Sequence, residues 1–410
     1  MARVAIFYPT DPASHVPSGG IDSVIRGILE GAPPDLEYTL FGATSDAAAR
    51  PVGRAWSLSA GARSARLIPL TQVDVGARRG IVPLTVRYMQ ALHRSIRSGA
   101  CAEFDILDFH RIEPLWLFRS DRRPKNVVMH QDMTVIRDKN CDIMWRHAPW
   151  LYEWIERRLV ADVSHMFCVR RTAVERYRAL YRDSPERFSF LPTWVDAVTF
   201  APPADAAARA RARASLRARL GLTDPSARVI VSVGRLDRQK DPELLLQALH
   251  EVALTAPHVH LAMIGDGVLR PAVERARDAL GLAARVTLLG VQPPAAIAEV
   301  LRGADLFAMS SAYEGMPIAV LEALSTGLPV VSTSVGEVPT LVTSGVNGCI
   351  SQDRTPRALA EALLGALSRA DAMMGEACER AAEPYTPKKV LELIYGVHRA
   401  QAAAKRQAEK

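Results

Sequence analysis

The sequence predicts an α/β protein built from two doubly wound units, each with a parallel sheet that is covered by helices. Short apolar, β-branched runs alternate with helix-like segments along the whole 410-residue chain. Near its middle, Pro202 and Pro203 interrupt this alternation, because neither a helix interior nor a central strand accepts two prolines. No period of about 20–50 residues repeats, which excludes a solenoid.

The strand predictions rest on apolar runs rich in Val, Ile, Leu and Phe. In the first half these runs lie at 3–8, 36–41, 66–70, 104–109, 126–130, 164–169 and 187–191. In the second half they lie at 228–233, 259–264, 285–290, 305–309 and 329–333. Each run of the second half precedes a Gly, Pro or Ser and then a helical pattern. Two doubly wound units explain this arrangement better than one.

The boundary between the units is predicted near 195–203, after the segment Pro192-Thr-Trp-Val-Asp196. An Ala/Arg-rich helix over Ala206–Leu220 follows it. The last segment, Pro387–Lys410, is apolar only in its first half. We therefore expect a terminal helix that docks at its start and frays at its end.

Composition and the N-terminus limit the class of protein. With 49% hydrophobic residues, the chain can bury two or three domain cores, so it is neither disordered nor fibrous. The five cysteines form no Cys-x-x-Cys pair, so neither a disulfide framework nor a zinc ribbon is expected. No signal sequence precedes the strand-like run Arg3–Tyr8, and no apolar stretch approaches ~18 residues. These features predict a cytoplasmic protein.

The formal net charge of +7 is concentrated in one segment. Residues 51–100 carry eight arginines against one acid, Asp74. This basic excess suits an anionic surface or acceptor. Nucleic acid is not expected as a partner, because aromatic residues make up only 6% of the chain and no nucleic-acid-binding signature occurs.

Two glutamates eight residues apart, Glu314 and Glu322, flank a predicted helix start at Pro317. Glu314 follows the strand at 305–309, at the edge where open α/β sheets bind ligands. The amides at the start of this helix are free to bind an anion or a sugar hydroxyl. They belong to Gly315, Met316 and Ile318. In the alternative interpretation, Glu314 only caps the helix and Glu322 is an exposed helical acid.

A second candidate binding loop follows the strand at 228–233. Gly234 lets the backbone turn sharply there, and Arg235 and Lys240 come before a helix predicted over Glu243–Ala253. Two fixed cations beside a helix N-terminus suit a departing diphosphate. Two residues that form only surface salt bridges would look the same in isolation.

Together these blocks resemble the retaining GT-B glycosyltransferases of family 4. Glu314 and Glu322 match that family's E-x7-E motif, and Gly234-Arg235 with Lys240 matches its G-R-x4-K motif. Two further blocks fall between them in the family's order, namely Ile264-Gly265-Asp-Gly267 and Val286–Gly290. The resemblance is strong over 228–350 and thinner elsewhere.

The resemblance implies two Rossmann-like domains that face each other across a cleft. Residues 1–197 would form an acceptor-side domain and residues 198–384 a nucleotide-sugar-binding domain. The terminal helix at 385–410 would cross back to the first domain.

In the N-terminal half, Gly19 and Gly20 are similar to a Gly-Gly loop that approaches the donor diphosphate. His130, which ends the strand at 126–130, matches the histidine that faces the reacting sugar in this family. His110 resembles the second histidine of an H-x-H element whose first position is here Asp108. This departure leaves the role of His110 open.

The resemblance also implies a function, namely retaining transfer of a sugar from a UDP- or GDP-sugar to a hydroxyl of a glycan, lipid-linked or small-molecule acceptor. The biological setting would be bacterial cell-surface polysaccharide or glycoconjugate synthesis. Arg235, Lys240 and the helix start would neutralise the leaving diphosphate in place of a metal. Glu314 would bind the sugar hydroxyls, Glu322 the ribose, and His130 would orient the sugar. No Asp-x-Asp occurs, and no metal or other cofactor is expected.

Two other interpretations stay open. One is a non-catalytic protein of the same fold that binds a nucleotide sugar. The other is a different GT-B enzyme, such as an epimerase or a phosphorylase. A phosphorylase that uses pyridoxal phosphate is disfavoured because Lys240 is the only lysine between residues 140 and 387.

Residues 81–97 predict an amphipathic helix within the arginine-rich segment. Its apolar stripe comprises Val82, Val86, Met89, Leu92 and Ile96, and Arg87, Arg94 and Arg97 lie off the stripe. In one interpretation this is an ordinary surface helix. In the other, the helix together with Arg78 and Arg79 meets an anionic membrane or a lipid-phosphate acceptor, which would place the protein peripherally on the inner face of the plasma membrane.

Overall fold

The computed structural model describes residues 1–14, 20–60, 63–73, 83–130, 148–224 and 226–408. These residues divide into two units. The first unit comprises the described residues up to 192 together with 387–408, and the second comprises 193–386. The side-chain hydroxyl of Thr193 donates to the carbonyl oxygen of Met316 at 2.8 Å, so the chain already packs with the second unit at this residue. The division between residues 192 and 193 therefore lies five residues before the division after residue 197 that the resemblance implied.

The first unit contains an eight-stranded sheet of the order β3-β4-β2-β1-β5-β6-β7-β8. All neighbouring strands are parallel except β3 and β4, which are antiparallel. The strands are β1 Ala2–Phe7, β2 Leu36–Thr44, β3 Trp56–Ala60, β4 Arg63–Gln72, β5 Ile106–Phe109, β6 Lys125–Met129, β7 His165–Cys168 and β8 Phe188–Phe190.

Aromatic side chains hold the centre of this sheet. The ring of Phe7 on β1 stacks on Phe41 of β2 at 5.2 Å between centroids and on Phe109 of β5 at 5.0 Å. Because these strands are neighbours, the three rings form a buried row across the sheet.

Helices of the first unit follow the strands in the order typical of doubly wound folds. They are α1 Gly20–Glu30, α2 Leu84–Arg97, α3 Pro149–Val160 and α4 Arg171–Leu180, with 3₁₀ helices at Glu113–Phe118 and Pro185–Arg187.

The second unit contains a six-stranded sheet of the order β11-β10-β9-β12-β13-β14, in which all neighbouring strands are parallel. The strands are β9 Arg228–Val233, β10 Val259–Ile264, β11 Val286–Gly290, β12 Leu306–Met309, β13 Val330–Thr333 and β14 Gly348–Ser351. The strand order reverses between β9 and β12. Open α/β sheets bind their ligands at the carboxyl ends of the strands that flank such a switch point.

The helices of the second unit include two that pack on the sheet with buried leucines, among them Leu245, Leu249, Leu359 and Leu363. The helices are α5 Ala206–Arg219, α6 Pro242–Thr255, α7 Arg270–Ala279, α8 Pro294–Gly303, α9 Ile318–Ser325, α10 Val338–Leu341, α11 Pro356–Leu367, α12 Ala370–Met373 and α13 Glu376–Ala382, with a 3₁₀ helix at Glu383–Tyr385.

The terminal helix α14, Pro387–Ala408, belongs to the first unit. The hydroxyl of Tyr395 donates to the carbonyl oxygen of Ile28 on α1 at 2.8 Å. Further along, Lys405 forms an ion pair with Asp105 at 2.6 Å. The helix is therefore anchored as far as Lys405, further than its apolar pattern suggested. Its second half docks through polar and small side chains, which an apolar pattern does not reveal.

Two further differences concern the first half of the chain. Strand β3 was missed because its short, serine-containing segment forms an antiparallel edge and lacks an apolar run. On α2, Tyr88 and Leu92 are buried whereas Val86 is exposed, so the buried stripe is rotated from the predicted one. A segment can satisfy helical periodicity with more than one stripe, and the contacts with the sheet select between them.

Candidate active site

The candidate site lies at the switch point of the second sheet, where loops follow β9 and β12. The hydroxyl of Ser310, directly after β12, donates to the carbonyl oxygens of Lys240 at 3.0 Å and Asp241 at 2.8 Å. The amide of Ala312 donates to the carbonyl oxygen of Gln239 at 2.7 Å. These bonds fasten the two motif-bearing loops to each other.

A third loop, after β10, packs on the loop after β9 so closely that two glycines are required. Gly265 has a φ of +131°, and a Cβ placed there would lie 1.9 Å from the carbonyl oxygen of Gly234. At Gly267 the same addition would lie 2.4 Å from the carbonyl oxygen of Leu236. Loop packing therefore explains why glycine occupies both positions, and a donor contact for them stays a prediction.

Lys240 and Glu314 come together at the centre of the site. The Nζ atom of Lys240 lies 2.6 Å from Oε1 of Glu314, whose side chain is only 7% exposed. The amide Nε2 of Gln239 donates to Oε2 of Glu314 at 3.4 Å and to the carbonyl oxygen of Tyr313 at 3.3 Å. The fold thus brings two residues from different motifs, 74 positions apart in the sequence, together as one charged pair.

Arg235 differs from Lys240 in its surroundings. Its side chain is 68% exposed and lies 3.1 Å from Asp237, and it also donates to Oε1 of Gln239 at 3.2 Å. Gln239 therefore bridges Arg235 and Glu314. Arg235 presents a largely solvated cation at the edge of the site, whereas Lys240 is opposed by a buried carboxylate.

The first amides of α9 are the predicted anion-binding groups, and this role stays a prediction. Pro317 is the N-cap residue of this helix, and no side chain caps it, so Glu314 does not act as the cap. The amide of Glu337 donates to the carbonyl oxygen of Gly315 at 2.8 Å. A Cβ on Gly336 would lie 2.1 Å from this same oxygen. These contacts fix the turn that leads into Met316 and Ile318.

Glu322, on α9, is not an exposed acid. Burial raises its pKa to about 7, and the charge of Lys240 acts in the opposite direction. Burial destabilises the charged form of this carboxyl group, and hydrogen-bond donors supplied by a ligand would stabilise that charged form. The interpretation of Glu314 and Glu322 as a helix cap and a surface acid is therefore wrong.

The raised pKa of Glu322 predicts a pH-dependent change in stability. The folded protein keeps this proton up to about pH 7, whereas the unfolded chain releases it near the ordinary value of 4.5. The stabilising contribution of the proton is thus complete below about pH 4.5 and is lost as the pH rises through about 7. We expect Glu322→Gln to be more stable than the wild type at about pH 8, by up to about 3 kcal/mol, and to differ less at about pH 5.

Urea unfolding of both proteins at the two pH values tests this expectation. The same titration with a nucleotide present should show that the Glu322→Gln variant gains less stability from the ligand. A stability difference that does not change with pH would contradict the expectation.

In the first unit, His110 and His130 follow the adjacent strands β5 and β6. Nδ1 of His110 lies 3.1 Å from Nε2 of His130, and the rings stack with centroids 5.4 Å apart. Burial lowers the pKa of His130 to about 4 and that of His110 well below its ordinary range, to which the nearby His130 contributes. Both rings are therefore neutral at pH 7, and one donates a hydrogen bond to the other.

Asp108 does not take the place of a ligand-facing histidine. It is fully buried, and its carboxylate lies 3.4 Å from Nε2 of His398 on α14. Nδ1 of His398 lies 2.8 Å from the hydroxyl of Tyr38. Sequence reasoning missed His398 and Tyr38, because they are 360 residues apart and belong to no motif.

The remaining predicted residues belong to the N-terminal half of the chain. Gly20 is the first residue of α1, whereas Gly19, Arg78 and Arg79 lie outside the described residues. Arg87 on α2 donates to the carbonyl oxygen of Gln72 at 3.4 Å, so it is turned partly towards the sheet. Arg94 and Arg97 are exposed in the last turn of α2.

Within the part of the chain that the structure describes, no group of three or more His, Cys, Asp or Glu residues is arranged to hold a metal ion. Among those same residues, no helix has the length and apolar character needed to cross a membrane. Metal independence and membrane contact both stay predictions.

Residues 227–369 match the family model of the group 1 glycosyl transferases. A D-inositol 3-phosphate glycosyltransferase of Segniliparus rotundus is 34% identical over 225 residues, which cover 53% of this chain and 48% of that protein. The protein of the same name from Rhodococcus erythropolis is 38% identical over 205 residues, or 48% of this chain and 44% of that protein. This chain thus spans about half the length of the curated relatives it matches.

Solved structures resemble the chain over almost all of its length. Sucrose-phosphate synthase from Thermosynechococcus elongatus has a TM-score of 0.79 at 18% identity and covers 98% of this chain and 100% of its own. The Anabaena protein HepE in complex with UDP-glucose has a TM-score of 0.69 at 17% identity, with coverage of 98% and 100%. Identity this low is evidence for the fold alone, and the predicted GT-B fold is confirmed.

Proposed function

We propose that this chain, whose residues 227–369 match the group 1 glycosyl transferases as its motifs predicted, transfers a sugar from a nucleotide-diphosphate donor to a hydroxyl of an acceptor. The observation that carries this proposal is the pair formed by Lys240 and Glu314, 2.6 Å apart at the switch point of the second sheet. The matched family domain contains both residues, together with Arg235 and Glu322.

The geometry supports a division of labour between the charged residues. An ammonium group has three donors, so Lys240 can keep one bond to Glu314 and offer the others to a phosphate oxygen. Arg235 is exposed and can turn towards the same diphosphate. The first amides of α9 add partial positive charge at the helix N-terminus. These groups would stabilise the charge that develops as the diphosphate leaves.

Two carboxyl groups would bind the uncharged parts of the donor. Glu314 would accept hydrogen bonds from the hydroxyls of the donor sugar, and Glu322 would accept them from the ribose. A ribose hydroxyl would also supply the polar partner that the buried Glu322 needs when it is charged. The neutral His130 would orient the sugar through a hydrogen bond and not through charge.

The finer features of the reaction follow from the family resemblance. We propose retention of the anomeric configuration, with the departing phosphate oxygen taking the acceptor proton, and no requirement for a metal. We propose UDP- or GDP-sugars as donors, and HepE, which was solved with UDP-glucose, supports the first of these. A cytoplasmic role in cell-surface polysaccharide or glycoconjugate synthesis is part of the same proposal.

The acceptor is proposed only as a class, namely a glycan, lipid-linked or small-molecule hydroxyl. Relatives are named for action on D-inositol 3-phosphate, but this chain spans about half of their length. D-inositol 3-phosphate is therefore one acceptor to test among several.

Incubation with UDP-glucose, GDP-mannose and ADP-glucose, with detection of the released nucleoside diphosphate, tests the proposal. We expect one donor to be hydrolysed slowly when no acceptor is present and to react faster when a suitable acceptor is added. Both rates should be the same when EDTA is present. NMR of the product should show the donor's anomeric configuration. Donor binding without transfer or hydrolysis would instead favour the non-catalytic alternative, and binding of no donor would overturn the proposal.

A further inference from the structure

A groove of about 680 Å³ lies on the first unit, between the 3₁₀ helix Glu113–Phe118 and α3. None of the predicted site residues that the structure describes lines it. Two indoles, three guanidinium groups and one carboxylate line it, and these belong to Trp116, Trp154, Arg119, Arg157, Arg158 and Asp162. This combination of exposed aromatic and basic side chains has no role in the proposed transfer.

Both indoles are exposed. Trp154 is 55% exposed although it stands in the middle of α3. Trp116 lines the same groove from the 3₁₀ helix and is 36% exposed, and the guanidinium of Arg119 lies over its ring at 5.2 Å from the centroid. Arg119 also donates to the carbonyl oxygen of Trp116 at 3.2 Å. Large aromatic groups that remain exposed in one groove often mark a binding surface.

The charge of the groove is positive. Asp162, the one acid among the described lining residues, already contacts the buried ammonium group of Lys125. Arg157 lies 3.0 Å from Glu153, a residue outside the groove lining, and this exposed ion pair is too weak to hold Arg157 away from an anion. Arg119 and Arg158 add two further guanidinium groups. An anionic ligand would therefore find several partners here.

We propose that this groove binds an acidic oligosaccharide, that is, a sugar chain that carries carboxylates. The electron-rich faces of the indoles attract the polarised C–H bonds of a pyranose ring. Guanidinium groups bind carboxylates through paired hydrogen bonds. A concave groove suits a chain of sugar rings better than it suits a flat bilayer. The proposal rests on contacts within the first unit and does not depend on the proposed transfer.

Titration of the full chain with tetragalacturonate, followed by tryptophan fluorescence and calorimetry, tests the proposal without any donor. We expect saturable binding that weakens as NaCl rises from about 50 to about 500 mM. Maltotetraose, which is uncharged, should bind about tenfold more weakly or not at all. Trp154→Ala, and separately Arg157→Gln combined with Arg158→Gln, should each weaken tetragalacturonate binding by about tenfold, as expected for an aromatic or arginine anchor.

Trp150→Ala provides a matched control, because Trp150 is 71% exposed on the same helix but does not line the groove. This variant should bind tetragalacturonate as the wild type does. All of these side chains are exposed, so circular dichroism should show folded variants.

Three results would overturn the proposal. They are equal binding of maltotetraose and tetragalacturonate, equal losses in the Trp150→Ala and Trp154→Ala variants, and no binding of tetragalacturonate. If, in the last case, vesicles that contain phosphatidylglycerol bind and lose affinity in the Trp154→Ala variant, the groove is a lipid contact. If the Trp154→Ala variant loses tetragalacturonate binding but keeps its donor turnover, the groove and the candidate active site act separately.

Discussion

Arg235→Ala is expected to lower turnover by about 10²–10³-fold, which is the usual cost of removing one preorganised donor from a developing charge. Stability should hardly change, because the Arg235 side chain is 68% exposed and its contacts with Asp237 and Gln239 lie at the surface. Initial rates with saturating donor, together with thermal unfolding, measure the two effects. The loss should appear in kcat more than in the KM for the donor, since the charge grows as the leaving group departs.

Arg238→Ala is the matched control for this variant. Arg238 is exposed in the same loop, and its replacement changes the net charge by the same amount. We expect near-normal turnover for this variant. If Arg235→Ala and Arg238→Ala behave alike, Arg235 has no direct role and contributes only general charge.

The second large effect is expected at the pair formed by Lys240 and Glu314. Glu314→Gln removes the charge that opposes Lys240 at 2.6 Å, in a position where the carboxylate is only 7% exposed. We expect turnover to fall by at least about 10²-fold, because the sugar loses its strongest acceptor of hydrogen bonds. We also expect a loss of about 1–2 kcal/mol in the free energy of unfolding, since the ammonium group of Lys240 remains without its partner.

A double variant separates these two effects. Lys240→Met should also reduce both stability and turnover, because it leaves the buried carboxylate of Glu314 unpaired. In the combined Lys240→Met and Glu314→Gln variant, neither group is an unpaired charge, so part of the lost stability should return. Turnover of the double variant should be no higher than that of the less active single variant.

Chemical denaturation and single-turnover transfer assays complete this cycle, with Glu243→Gln as an exposed acid near the loop for comparison. Recovery of turnover together with stability in the double variant would mean that the pair is only structural. Persistent loss of turnover in a restabilised protein would assign both residues to the chemistry.

The sequence by itself determined the class of fold and most of the strands. β9 and β10 lie where their apolar runs predicted, and the prolines near 202 mark the change of unit to within about ten residues. The motif that contains Glu314 and the one that contains Lys240 were also recognisable, because each lies within one short segment. Periodicity and motif spacing depend only on residues that are close together in the chain, so the amino-acid sequence is sufficient to recognise them.

The tertiary structure alone decided which side chains meet. The contact between Lys240 and Glu314, the buried pair of Asp108 and His398, and the groove between Trp116 and Trp154 all join distant segments. Such distances depend on strand order, register and the path of the loops, none of which a local pattern specifies. The burial that raises the pKa of Glu322 to about 7 has the same origin, since it requires the neighbouring elements to be in place around the helix.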